Sequence, residues 1–278
     1  MEQIVEERPR IGLALSSGAA LGLAHIGVLK ALKEAGVPID MIAGTSIGAV
    51  IGAFFAKEGD VKTIEETVLS MNMRQIVRLL DPRRGHIRRG LIYGQKIEKL
   101  LYSMIGDMEF SDLKVQFVAV ATDINTGEEI ILREGPVFKA LRASISIPGI
   151  FVPVMLQGRC LVDGGSTNPM PTDILHNMGA EIIIAVNALH EPMKKRVRSG
   201  SGKVEVTEPP NIFTTLFQSI YIKEHIIIKL RMPKADITIS PDVSHIGVFE
   251  FHRGKEAIQA GYTAANDCMS QLLKIIEK

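Results

Sequence analysis

The chain has 278 residues, enough for one α/β domain with a large buried core. Its 32 basic and 31 acidic residues leave a formal net charge of +1, which excludes a strong overall field that would draw it to nucleic acid. Two cysteines, Cys160 and Cys268, make no disulfide framework, and a reducing compartment suits them.

The first nine residues are predicted to be a tail in front of a single domain over residues 10–278. They lack the basic start and apolar core of a secretory signal, so we expect no export and a cytoplasmic protein. Residues 11–29 contain no Asp, Glu, Lys or Arg and approach the roughly 18 apolar residues of a membrane span. Glycines and serines interrupt that stretch. It predicts instead a strand over 11–15, a turn over 16–22 and a helix over 25–32.

The turn over 16–22 consists of small residues and leads into the N-terminus of a helix. Such a loop exposes backbone N–H groups where the helix dipole favours negative charge. The bound group would be either a phosphate or the oxyanion of an acyl-transfer intermediate.

The next motif is Gly44-Thr45-Ser46-Ile47-Gly48, which follows an apolar run over 39–43 and precedes a helical segment over 49–55. A strand, a tight turn and a helix in this order are typical of a nucleophile elbow, in which the flanking glycines permit a strained turn that exposes a serine hydroxyl. Ser46 is therefore a candidate nucleophile. An ordinary turn between a strand and a helix would have a similar sequence.

Further along, short and nearly continuous apolar runs predict strands over 115–121, 160–162 and 181–186. Apolar residues at helical spacing predict helices at 65–80, 95–104, 213–232 and 255–276. This alternation predicts an α/β fold with a largely parallel central sheet between helical layers.

Asp163-Gly164-Gly165 follows the run over 160–162, so a carboxylate at a strand end is placed to accept a proton. In parallel sheets, sites lie beyond the carboxyl ends of the strands. We therefore expect Ser46, the turn at Gly18 and Asp163 to meet at one edge.

Taken together, these motifs resemble the bacterial patatin-like phospholipases. The resemblance covers the chain from Arg10 to the C-terminal helix, and it rests on five motifs in order: the small-residue turn leading into 25–29, the elbow around Ser46, 121–128, 142–151 and 163–165. It implies a patatin-like three-layer α/β/α fold. It also implies a serine esterase of lipid metabolism that hydrolyses phospholipids or lysophospholipids, with no metal and no cofactor.

The resemblance further implies a Ser-Asp dyad, in which Ser46 attacks an ester carbonyl and Asp163 takes the serine proton. The backbone at Ser17, Gly18, Ala19 and Ile47 would form the oxyanion hole, and the motif glycines Gly22, Gly44, Gly48, Gly164 and Gly165 would hold the geometry. The alternative is a Ser-acid-His triad. It would need one of the histidines after Asp163, namely His176, His190, His225, His245 or His252. His25 is expected to be structural or to support the oxyanion hole.

The small-residue turn departs from the G-G-G-x-R-G pattern that the family usually shows, because Ser17, Ala19 and Leu21 replace two glycines and the arginine. If Ala19 adopts a positive φ, its Cβ imposes strain. The departure keeps two alternatives open, a regulatory or partner-binding protein with weakened catalysis and an acyltransferase. Restoring the pattern with Ala19→Gly and Leu21→Arg is expected to raise kcat.

Two basic segments, 83–89 and a predicted mobile loop at about 191–211, are either solvated loop charge or contacts to anionic lipid head groups. The helix over 213–232 carries enough apolar surface to cap an acyl pocket, although core packing would explain it equally well. The expected partners are therefore a lipid or other acyl ester and, peripherally, an anionic membrane at its inner face. No nucleic acid is expected, and the oligomeric state is left open.

Overall fold

The computed structural model describes residues 8–71, 73–79, 81, 92–189, 212–231 and 235–277. The basic segment at 83–89 and the mobile loop expected at about 191–211 lie outside the described residues. So does most of the N-terminal tail. No helix of the described part of the chain is both long enough and apolar enough to cross a membrane.

The strands alternate with the helices along most of the chain. The strands are β1 Ile11–Leu15, β2 Met41–Thr45, β3 Gln116–Asp123, β4 Glu129–Leu132, β5 Val154–Leu156, β6 Arg159–Asp163, β7 Ile182–Val186 and β8 Ile237–Ile239. The helices are α1 Ala24–Glu34, α2 Ile47–Glu58, α3 Lys62–Ser70, α4 Met73–Leu79, α5 Gln95–Ile105, α6 Val137–Ser144, α7 Thr172–Met178, α8 Ile212–Arg231 and α9 Gly254–Ile276. Short 3-10 turns include Ala19–Leu23 and Gly164–Ser166.

The described strands form one hydrogen-bonded sheet, in which the pairings run β5-β6-β3-β2-β1-β7-β8 and β4 also pairs with β3. Strands β3, β2, β1, β7 and β8 run parallel to their neighbours. Strands β4 and β6 are antiparallel to β3, and β5 is antiparallel to β6. The predicted α/β class with a largely parallel sheet is confirmed.

Both faces of the central strands are covered, since every residue of β1, β2 and β7 is buried. Side chains alternate between two apolar clusters with the period of a strand. Leu13 and Ile42 face a cluster with residues of α1, α2 and α9, whereas Ala14 and Met41 face a cluster with residues of α7 and α8. The sheet therefore lies between two helical layers.

Several predicted boundaries differ from the observed ones, and for two of them the structure shows the cause. The helix expected over 65–80 is divided into α3 and α4, because Met71 is extended and ends α3. Strand β2 begins at Met41 rather than at residue 39, because the side chain of Asp40 binds the start of β1 and a residue in front of it. Its carboxylate accepts the Ile11 N–H at 2.8 Å and forms an ion pair with Arg8.

Helices α1 and α9 pack with their backbones in close contact, through a glycine on each. A Cβ at Gly27 would overlap the Ile258 carbonyl of α9, and one at Gly261 would overlap the Ala24 carbonyl of α1. The C-terminal helix is therefore seated directly on the helix that follows the small-residue turn.

Strand β3 aligns the ends of β2 and β6. Its residues 119–122 pair with β4 along one edge, so β2, which pairs with 116–120, and β6, which pairs with 121–123, must share the other edge. Thr45 lies opposite Val120 and Asp163 lies opposite Ala121. The C-terminal ends of β2 and β6 therefore meet head to head, which places Ser46 and Asp163 at the junction.

Candidate active site

Ser46 and Asp163 are hydrogen-bonded. The Ser46 Oγ donates to the Asp163 Oδ2 at 2.5 Å, and both residues are buried. The expectation that both residues follow parallel strands is wrong for Asp163. Strand β6 runs antiparallel to β3, so its end points back toward the end of β2. The residues meet because the strands approach from opposite directions.

The backbone of Ser46 has the sharp turn expected of a nucleophile elbow. Ser46 joins β2 to α2 with φ 57° and ψ −123°, a combination that a non-glycine residue rarely adopts. Its N–H donates to the Ser144 Oγ at 2.9 Å, and that hydroxyl donates to the Val120 carbonyl at 2.6 Å. The strained turn is therefore held by α6 and β3.

The glycines of the elbow are required by close approach of the backbone. A Cβ at Gly48 would overlap the carbonyls of Leu15 and Ser16 at the end of β1, and one at Gly44 would lie 2.6 Å from the Cα of Ala49. Any larger residue would push α2 away from the sheet. These two glycines thus fix the position of the Ser46 hydroxyl.

The carboxylate of Asp163 has both oxygens engaged. Oδ2 accepts from Ser46, and Oδ1 accepts the Gly165 N–H at 2.8 Å. Burial raises the pKa of Asp163 from 3.8 to about 6, and the two hydrogen bonds act in the opposite direction. Gly164, also expected to hold geometry, lies against β3, where a Cβ would overlap the Val120 carbonyl. Asp163 therefore has the basicity of a group that exchanges protons near neutral pH.

The small-residue turn contributes two candidate backbone donors, the N–H groups of Gly18 and Ala19, and Ile47 at the start of α2 contributes a third. Gly18 has φ 152° and Ala19 has φ 49°, so Ala19 has the positive φ that we considered from the sequence. Among the hydrogen bonds of the described residues, none uses the N–H of Gly18, Ala19 or Ile47. A Cβ at Gly22 would overlap the side chain of Ile47, so glycine lets the turn pack against the first residue of α2.

Ser17 does not have a free backbone donor, in contrast to our expectation. Its N–H donates to the Pro169 carbonyl at 2.9 Å, which occupies the group that an oxyanion would need. Leu21, the second residue of the expected double change, is fully buried in the core. An arginine there would bring a charge into an apolar interior, which removes the basis for expecting Leu21→Arg to raise kcat.

His25 supports the turn from below. Its Nε2 donates to the Ser16 carbonyl at 2.9 Å, and burial lowers its pKa to about 4. The imidazole is therefore neutral at physiological pH. Of the histidines considered for a triad, His176, His245 and His252 are exposed, His225 is buried in α8, and His190 lies outside the described residues.

A buried arginine connects α6 to the segment in front of α5. Arg142 donates to the Gly94 carbonyl at 3.2 Å, to the Tyr93 carbonyl at 2.7 Å and to the Ser146 Oγ at 2.6 Å. The carbonyl of Ser146 accepts the N–H of Asp163 at 2.9 Å. Desolvation lowers the pKa of Arg142 from its usual value. The guanidinium thus braces the loop on which the Asp163 backbone rests.

Sequence reasoning missed Glu224. This residue of α8 is buried, and its Oε2 accepts a hydrogen bond from the Ser17 Oγ at 2.9 Å. Burial and the charge of Asp163 raise the pKa of Glu224 to about 8. Glu224 is the only acidic residue in α8, where it stands between Lys223 and His225, and a single carboxylate in a helix rich in apolar residues was the available signal.

Comparison with known proteins gives one family. The family model described as patatin-like phospholipase matches residues 13–176. An uncharacterized NTE family protein of Mycobacterium tuberculosis is 40% identical over 179 residues, which are 64% of this chain and 49% of that protein. Neuropathy target esterase sws of Drosophila melanogaster is 35% identical over 182 residues, 64% of this chain and 13% of that protein.

The chain thus spans about half the length of the mycobacterial relative and a smaller part of the Drosophila protein. Among solved structures, VipD from Legionella pneumophila shares the fold, with a TM-score of 0.52 at 14% identity. That alignment covers 95% of this chain and 67% of VipD.

Proposed function

The chain belongs to the patatin-like phospholipase family, and from that premise we propose that it is a serine esterase that hydrolyses carboxylic esters of phospholipids or lysophospholipids. The observation that carries the proposal is the 2.5 Å hydrogen bond from the Ser46 Oγ to Asp163, made at the start of α2 beside unused N–H groups. A nucleophile, a base and oxyanion donors at one point are the parts that acyl transfer requires.

In the first half of the reaction, the Ser46 Oγ attacks the ester carbonyl carbon while its proton moves to the Asp163 Oδ2. Negative charge develops on the carbonyl oxygen. The N–H groups of Gly18, Ala19 and Ile47 stabilise that charge, and the N-terminus of α2 adds its dipole. The carbon–oxygen bond to the alcohol then breaks, and Asp163 returns the proton to the leaving alcohol.

In the second half, water attacks the acyl group on Ser46 and gives a proton to Asp163. The intermediate collapses, the fatty acid leaves, and the Ser46 Oγ regains the proton. An ordinary aspartate would be a weak base for both steps. The pKa of about 6 matches the task better, because a general base works best when its pKa lies near the working pH.

For the whole molecule, we propose one cytoplasmic domain that reaches lipid peripherally. Three exposed apolar residues of α8, Ile222, Ile226 and Leu230, recur every four positions and share one face of the helix. This stripe supports contact with the lipid that carries the substrate. The basic segments at 83–89 and 191–211 would add attraction to anionic head groups.

The experiment is fluorophosphonate labelling followed by intact-mass detection, together with hydrolysis of a short p-nitrophenyl ester. The parent protein should gain one label at Ser46, and Ser46→Ala should abolish both labelling and most hydrolysis. Asp163→Asn should lower kcat by a similar factor. Combining the two changes should cost little more, because the residues act as one unit.

A matched control is Ser103→Ala, which removes an exposed hydroxyl from α5 and should change neither readout. Full hydrolysis by Ser46→Ala would sink the assignment. A parent protein that stays unlabelled would favour the regulatory alternative. Labelling together with transfer of the acyl group to an added alcohol, in preference to water, would favour the acyltransferase.

A further inference from the structure

Glu224 links two segments of the site that are far apart in the sequence. Its Oε2 accepts from the Ser17 hydroxyl in the small-residue turn, at 2.9 Å. Its Oε1 lies beside Gly165, so close that a Cβ added to this glycine would overlap it. That Cβ would also lie 3.2 Å from the Asp163 Oδ1. The carboxyl groups of Glu224 and Asp163 therefore border one small buried space.

Two buried carboxyl groups at such a space cannot both be charged without large repulsion. Asp163 is the group that must be ionised to accept the Ser46 proton. Glu224 does not accept a proton in this reaction, and a neutral carboxylic acid can still accept the hydrogen bond from Ser17. Because Ser17 donates to Oε2, the proton of a neutral Glu224 belongs on Oε1, the oxygen that borders Gly165.

We propose that Glu224 is a positioning residue that must hold a proton for Ser46 to react. As a neutral acid it tethers the small-residue turn through Ser17 and keeps a second negative charge away from Asp163 and from the developing oxyanion. This inference rests on the proposed esterase reaction. It adds to that reaction an alkaline limit set by a residue of α8.

The charges around Glu224 agree with this role. Burial and then the charge of Asp163 raise the pKa of Glu224, to about 8, whereas the Ser17 hydrogen bond and the neighbouring Lys223 lower it. Asp163 has a pKa of about 6. His25, beneath the turn, is neutral in this range. Between pH 6 and 8, Asp163 is thus an anion and Glu224 is an acid, and above that range Glu224 ionises beside it.

Ser17 takes part in this arrangement through its side chain. Its backbone N–H already donates to the Pro169 carbonyl. Its hydroxyl is the group that Glu224 binds. A glycine there would leave Glu224 without this partner, so the serine and the glutamate act as a pair.

The test is the pH profile of kcat/KM for a p-nitrophenyl ester, corrected for spontaneous hydrolysis. The parent should give a bell, rising near pH 6 and falling near pH 8, because kcat/KM reports the free enzyme. Glu224→Gln should keep the rising limb and lose the falling one. Ser17→Ala removes a hydrogen bond that lowers the pKa of Glu224, so its falling limb should move to higher pH.

The matched control is Glu66→Gln, which removes an exposed carboxylate from α3 and should keep both limbs. A second measurement does not depend on activity. The infrared difference spectrum of the parent minus Glu224→Gln at pH 7 should contain the C=O band of a protonated carboxyl, and the band should disappear above pH 8.

A falling limb that is unchanged in Glu224→Gln, or a missing infrared band, would overturn the inference while leaving Ser46 as the nucleophile. Should Glu224→Gln fail to fold, the shift in Ser17→Ala and the loss of the band in the parent above pH 8 decide the matter. If Ser46→Ala is fully active, the proposed function fails. The infrared band then still reports whether Glu224 holds a proton.

Discussion

The Ser144 hydroxyl accepts the backbone N–H of Ser46 at 2.9 Å, and in turn donates to the Val120 carbonyl. This bond is made to the residue with the most strained backbone of the elbow, and both partners are buried. The N–H groups at the start of a helix have no acceptor within the helix, and the Ser144 hydroxyl supplies one for Ser46. Ser144 thus helps to hold the candidate nucleophile in its unusual conformation.

Ser144→Ala should therefore impair stability and activity together. The substitution removes the partner of the buried Ser46 N–H and one hydrogen bond to the Val120 carbonyl, which costs about 1 to 3 kcal/mol of unfolding free energy. Displacement of Ser46 should lower kcat by on the order of tenfold to a hundredfold. Chemical denaturation and ester hydrolysis measure the two effects. Ser103→Ala is the control, and an unchanged kcat in Ser144→Ala would show that the elbow is rigid without this bond.

The acid side of the activity profile follows from Asp163. Its pKa is raised to about 6, so below that pH the carboxyl is protonated and cannot accept the Ser46 proton. We expect kcat/KM to fall about tenfold per pH unit below pH 6, while circular dichroism shows the protein still folded. A midpoint near pH 4, the ordinary value for an aspartate, would contradict the buried environment of this group.

Arg142→Lys is expected to destabilise the protein, although it keeps the charge. The planar guanidinium reaches the carbonyls of Tyr93 and Gly94 and the Ser146 hydroxyl at once, and an ammonium group cannot span these acceptors. The loss should be about 2 kcal/mol or more, measured by denaturation. Arg133→Lys, on an exposed position, is the control. Equal stability of the two variants would argue against the brace.

Ala19→Gly tests the strain in the small-residue turn. A positive φ costs an alanine roughly 1 to 2 kcal/mol of stability. Glycine avoids this strain but loses more conformational entropy on folding, which offsets part of the gain. We expect stability to rise by up to about 1 kcal/mol. The sequence alone suggested a rise in kcat for this change combined with Leu21→Arg; for the single change we expect kcat to fall, because glycine loosens the φ that orients the neighbouring N–H donors.

The control for this change is Ala264→Gly in α9, where glycine should cost about 1 kcal/mol, as in any helix interior. A rise in kcat for Ala19→Gly would mean that the alanine holds the donors in a poor alignment. That result would support the alternative, raised from the sequence, that this protein has weakened catalysis.

Membrane contact is tested by reversing the charge of Lys194, Lys195, Arg196 and Arg198. If these residues attract anionic lipid, the variant should bind phosphatidylserine-containing vesicles more weakly at low salt, with no change in hydrolysis of a soluble ester. Vesicle co-sedimentation measures this. A matched control reverses four exposed lysines elsewhere: Lys62, Lys96, Lys99 and Lys114. Equal losses in both variants would reduce the effect to net charge alone.

Much of the site could be predicted from local sequence, because its parts are turns with strong local requirements. The elbow at Ser46 and the small-residue turn need glycines where backbones touch, and that pattern is visible in the chain. The direction of β6 was not visible, because an apolar run does not reveal whether a strand runs parallel or antiparallel to its partner. The contact of Ser17 with Glu224 was also hidden, since it joins residues 207 positions apart.

The head-to-head meeting of β2 and β6 has a consequence for folding. Ser46 and Asp163 are 117 residues apart and are brought together only where both strands have paired with β3. A partly folded chain that lacks either pairing keeps its serine unactivated, whatever helices have formed. Labelling of Ser46 during refolding would therefore report the moment at which β2 and β6 have both paired with β3. The need for both strand pairings would also prevent an incompletely folded molecule from attacking esters.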